Sequence, residues 1–114
     1  MSPAGTLARR WTCERCEMSI GRIDGGRVTM PESWASTEGG LLCLACRRER
    51  AAEVALDAVP EESTRDTRVK VRRAGLIEFE VRREPDRPDN AIAKACHSSP
   101  SAVAAARRRL EQVR

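Results

Sequence analysis

The apolar positions of this chain change their spacing near residue 44. Before that point they come as short pieces, Arg27 to Met30 and Leu41-Leu42, set between turn signals at Gly21, Asp24-Gly25-Gly26 and Glu38-Gly39-Gly40. Short apolar runs between glycine-rich turns predict small β-hairpins over 10–46. From Leu44 onward the spacing becomes helical. Ala51, Ala52, Ala55 and Leu56 form a thin apolar stripe on a helix expected over 45–58, with Arg50 and Glu53 three apart as a favourable charge pair and Pro60 as the stop. The polar stretch 60–66 predicts a linker, and Ser63 or Thr64 can cap a helix starting after it.

Residues 67–84 fit two periods. Val69-Lys70-Val71 and Ile77 to Val81 alternate as strands would, whereas Ala74, Ile77 and Val81 share one helical face. A helix is the better choice, because the two short helices expected after it need a third to close a core and because Glu84-Pro85 makes a natural end. A hairpin over 77–81 remains the alternative. Asp89 is placed to cap a helix from Asn90 to Cys96, with Ile92, Ala93 and Cys96 on one face. His97-Ser98-Ser99 form a turn. Ser99 then caps a second helix with Pro100 in its first turn, and Val103, Ala106 and Leu110 face inward. The expected organisation is a loose leader (1–9), a cysteine-framed module (10–59), the linker (60–66) and an all-α unit (67–114). No internal repeat is visible.

Four cysteines pair as Cys13-Glu-Arg-Cys16 and Cys43-Leu-Ala-Cys46, twenty-six residues apart. Each pair can turn two sulfurs to one ion, and four thiolates satisfy tetrahedral zinc with no open position. The second pair opens the helix at 45, where amide dipoles should favour thiolates. Two knuckles flanking hairpins, the second leading into a helix, resemble a zinc ribbon or treble-clef module. Trp11 and Trp34 would be the plug such small modules pack beside the metal. One structural zinc is the expectation. An iron-thiolate carrier would use the same four residues, and a zinc site that releases its metal on oxidation has the same spacing. Catalytic zinc usually includes His among its ligands, and the single His97 lies in the other half. Cys96 falls on an apolar face and reads as a small core residue rather than a ligand.

The run Ile92 to Leu110 resembles the helix-turn-helix of bacterial regulators of the type I-A-x-x-x-G-V-S-x-x-T-V-x-x-x-x-x-x-L, matching at Ile92, Ala93, Ser99, Val103 and Leu110. It departs from that pattern at His97, where Gly allows a left-handed backbone, at Ser98, where Val is usual, and at Ala102, where Thr is common. The resemblance implies a second helix presented to a DNA major groove. Its DNA-facing set would be Ser99, Pro100, Ser101, Ala104 and Ala105, with Arg107, Arg108 and Arg109 toward the phosphates. Alanine can only touch a thymine methyl and serine discriminates weakly, so direct readout would be poor. Specificity would then come from the arginines, DNA shape, dimerisation or the zinc module.

Charge agrees with that placement. The net +4 of these 114 residues lies wholly in the second half, where thirteen basic residues face nine acidic ones; residues 1–60 balance at eight each. Only Lys70 and Lys94 are lysines, an arginine and alanine bias that suits GC-rich coding in a bacterium or phage. Aromatics make up 3%, so each half is short of core and the first needs a staple. No apolar run approaches the ~18–20 residues of a membrane span, and Met1 to Arg10 has no hydrophobic signal core. A reducing cytoplasm is the expected compartment, where paired cysteines are metal ligands more often than disulfides. The expected function is a non-enzymatic, zinc-containing DNA-binding protein, a bacterial or phage transcriptional regulator. Its partners would be double-stranded DNA and, through the zinc module, RNA polymerase or a second copy. The alternative is an adaptor docking on polymerase or another transcription protein with little DNA contact. An enzyme is disfavoured: the sequence holds no nucleophile–base pair, phosphate loop or open metal site.

Overall fold

The computed structural model describes residues 7–38 and 40–112. They gather into two compact units that meet in sequence between Arg47 and Arg48. Among the described residues no helix is long and apolar enough to cross a membrane.

The first unit is built from three two-stranded antiparallel ladders. Strand β1 (Leu7–Ala8) pairs with β4 (Val28–Thr29), β2 (Arg10–Thr12) with β3 (Ser19–Gly21), and β5 (Ala35–Thr37) with β6 (Gly40–Leu42). Of the leader expected over 1–9, Leu7 and Ala8 instead pair with Thr29 and Val28, and residues 1–6 lie outside the described residues. Strands of two or three residues hold little by themselves. Their shared core is Cys13, Trp34, Leu42, Cys43 and Cys46, with Trp11, Ile20, Met30 and Leu41 packed around it. Both tryptophans occupy the expected place beside the cysteines. Trp11 also satisfies its polar end, its indole N–H donating to the Val28 carbonyl at 2.9 Å.

The second unit is helical. Helix α1 (Leu44–Asp57) starts at the second cysteine pair, and its residues from Arg48 onward belong here with α2 (Arg65–Arg83), α3 (Asp89–Ala95) and α4 (Pro100–Gln112). Sequence spacing assigned 48–58 to the cysteine module. Burial explains the transfer: Ala52 is fully buried, and a Cβ added to Gly75 in the middle of α2 would lie 2.8 Å from the Cβ of Ala55. The alanine stripe of α1 thus lies against the one position of α2 that has no side chain.

Residues 65–83 are one helix, so the hairpin alternative is not realised. Thr64 caps it, accepting from the Thr67 N–H at 3.1 Å, and Pro85 comes just after its end. Ile77 and Val81 enter a core with Ile92, Ala93, Cys96, Val103 and Ala106, against which Leu110 also packs. Cys96 is a core residue here, as its apolar setting in the sequence suggests.

One charge is buried with this core. Glu80 is 1% exposed; its carboxylate accepts from Arg83 Nε at 2.8 Å and Arg48 Nη1 at 3.2 Å, with Arg87 Nη1 at 3.8 Å. Arg48 further donates to the Ala95 carbonyl at the end of α3. Isolated, such a carboxylate would cost several kcal/mol; with three guanidiniums around it the desolvation is offset.

The turn between α3 and α4 closes as a Schellman motif. His97 takes φ 52°, Ser98 N–H reaches back to the Ala93 carbonyl at 2.8 Å, and His97 N–H to that of Lys94 at 3.4 Å. The position where glycine is usual therefore has the left-handed backbone that glycine would supply. Asp89 differs from expectation. It is the first residue of α3, with Pro88, which has no side-chain acceptor, at the cap position, and its carboxylate pairs with Arg107.

Candidate functional site

Cys13 comes directly after β2 and Cys16 sits in the β2–β3 connection, while Cys43 comes directly after β6 and Cys46 lies in the first turn of α1. These hairpins bring the four sulfurs within 4.8 Å of one another. Zinc–thiolate bonds of about 2.3 Å make a tetrahedron with sulfur edges of about 3.8 Å. Cys16 and Cys43 already stand at 3.7 Å. Four thiol ligands, no histidine and three of the four residues buried fit a closed site that holds a metal ion for structure.

The backbone around the cluster is built to present sulfur. The Cys13 N–H donates to the Met18 carbonyl at 2.8 Å and Glu17 N–H to that of Cys13 at 3.0 Å, closing the first knuckle with Glu17 at φ 64°. Glu14, inside the first pair, ties the knuckles together. Its N–H donates to the Leu41 carbonyl at 2.9 Å and its carboxylate accepts from the Leu41 N–H at 2.5 Å. That carboxylate fills the space a side chain at Gly40 would need, and Gly40 has φ 93°. Sequence reasoning passed over Glu14 and Glu17, whose residue type signals neither a clamp nor a left-handed turn. Gly40 ahead of Cys43 was the available clue.

Thiol acidity within the cluster is uneven. Burial pushes the Cys13 thiol up, but backbone N–H groups of Cys16, Cys43 and Arg15 outweigh it and hold the thiol down at about 6. Burial and the neighbouring sulfurs push Cys46 up to about 12. The helix-start position of Cys46 was expected to favour its thiolate. A helix terminus contributes roughly 0.3–1 kcal/mol, too little against burial beside other sulfurs.

The terminal helix places its predicted set on different sides. Ser99 caps α4, its hydroxyl accepting from the Ala102 N–H at 3.3 Å, and Pro100 is the first helical residue. Ser101 and Arg108 are exposed, and Ala104 and Ala105 are half-buried on the outward side. Arg109 is exposed, with Glu78 at 3.9 Å. Arg107 is turned inward. Its Nε donates to Asp89 at 2.6 Å, Nη1 to the Pro85 carbonyl at 2.7 Å and Nη2 to that of Arg87 at 2.6 Å. Four residues after Val103, it shares the α3-facing side of the helix, so it braces the α2–α3 connection instead of pointing outward with Arg108.

No protein-family model, curated protein or solved structure matches the chain, so the chemistry of the site is read from its own residues.

Proposed function

We propose that this protein binds double-stranded DNA through α4 and acts as a transcriptional regulator, with one structural zinc on Cys13, Cys16, Cys43 and Cys46. The observation that carries the DNA reading is the outward strip of α4. Ser101, Ala104, Ala105 and Arg108 line the side of the helix away from Val103 and Ala106, which are fully buried. Small side chains let a helix backbone approach a groove floor, and Arg108 at the end of the strip supplies charge for a phosphate. Sequence preference would be shallow, since alanine and serine read bases poorly.

A duplex titration between about 50 and 200 mM salt tests this, because phosphate contacts make affinity fall steeply with salt. Wild type should bind at low salt, and Arg108→Glu should remove most of that binding while leaving helical circular dichroism unchanged. The poverty of base-reading groups on the strip favours one second reading, an adaptor docking on RNA polymerase or another transcription protein. Absence of wild-type DNA binding at low salt would select it. Zinc is tested by metal content per chain, expected at one, and by cobalt substitution, whose spectrum reports four sulfur ligands.

A further inference from the structure

Beside the outward strip of α4 lies an open groove of about 620 Å³ between α2 and α4, lined by Lys70, Arg73 and Ala74 on one side and Ser99, Ala105 and Arg109 on the other. Three cations line it, and two of them lack the carboxylate partner that five arginines of this unit have. Arg48, Arg72, Arg83, Arg87 and Arg107 all pair with carboxylates. Among the described residues Lys70 and Arg73 have no such partner, and Arg109 pairs with Glu78 at 3.9 Å. Lys70 and Arg73 stand one turn apart on the same face of α2, so their charges repel. The groove gathers positive charge beside Ala74, Ile77, Ala102 and Ala105, and an anion between the two helices would relieve the repulsion.

We infer that this groove takes a backbone phosphate of the bound duplex, held by Lys70, Arg73 and Arg109. The inference rests on the DNA-binding reading of α4. Ala105 belongs to both the groove and the outward strip, so a duplex lying along the strip runs one of its strands past the groove. The contact is to phosphate oxygens, hence indifferent to sequence; it sets the register of α4 rather than reading bases. It also makes α2 a second DNA-contacting element.

The test is a salt titration of the full-length, zinc-loaded protein on two duplexes of unrelated sequence. It compares wild type, Arg108→Ala and the double variant Lys70→Ala/Arg73→Ala. Each phosphate given up lowers the slope of log affinity against log salt by about 0.9, so the double variant, which gives up the single groove phosphate, should lose about 0.9. Its affinity at low salt should fall at least about tenfold, equally on both duplexes. Lys70→Arg/Arg73→Lys should keep the wild-type slope. Both groove positions are exposed, and helical circular dichroism confirms that the variants fold. If wild type binds and the double variant keeps its slope and affinity, the groove holds no phosphate, and the α4 reading stands without it. If wild type fails to bind either duplex at low salt, both are overturned together.

Discussion

A histidine at φ 52° closes helix α3. For a residue with a Cβ this backbone costs roughly 1–2 kcal/mol relative to glycine, and the His97 side chain is exposed. His97→Gly should therefore stabilise the helical unit by about 1 kcal/mol, seen as a rise of about 4–8 °C in its thermal midpoint. The three consecutive arginines of α4 make the complementary case. In the sequence they are indistinguishable, and which one turns inward depends on where α3 packs. Arg107→Ala should lower stability by about 1–3 kcal/mol by removing its charge-assisted bonds to Asp89 and two carbonyls. Arg108→Ala should leave the melting curve unchanged and weaken DNA binding. Equal melting curves for the two variants would count against the inward placement of Arg107. Ser99 and Pro100 were legible in advance because capping and first-turn preferences are local; Asp89 was misread as a cap because its partner lies eighteen residues away.

Elements were legible in proportion to their length. The helices α1 and α4 emerge from apolar periodicity, and α2 emerges once Thr64 and Pro85 frame an otherwise ambiguous pattern. Strands of two residues carry no period, so the pairing of Leu7–Ala8 with Val28–Thr29 was invisible. The transfer of 48–57 to the helical unit was equally hidden, since it depends on Gly75 meeting the alanines of α1 across a helix crossing. In a solvent-exposed helix, glycine to alanine gains about 1 kcal/mol. Gly75→Ala should do the reverse, because the new Cβ sits 2.8 Å from that of Ala55, which cannot rotate away. A lower denaturation midpoint is expected; an unchanged or higher one would mean that the two helices do not touch there.

At the scale of the molecule, the two units should answer separately to metal removal. Trp11 and Trp34 are the only tryptophans of the chain and both pack beside the cysteine cluster. Chelation should shift tryptophan emission while most helical signal persists, since α2, α3 and α4 bury a core without cysteine ligands. Acid should act as the chelator does. The metal-bound form needs thiolates, so protons compete with the ion and affinity falls as pH falls. Cys46, with its thiol pushed up to about 12 before metal enters, loses its proton on binding at neutral pH.

Glu80 has a consequence of another kind for the helical unit. One carboxylate gathers guanidiniums from positions 48, 83 and 87, and the first of these also holds the last turn of α3. Opening α1 or the α2–α3 connection alone would strip a guanidinium from a carboxylate that stays buried. Fraying of single helices is thereby penalised, and slow amide protons of α2 and α3 should exchange with deuterium as one block, at a common opening free energy. In Glu80→Gln that block should split, the end of α3 exchanging first.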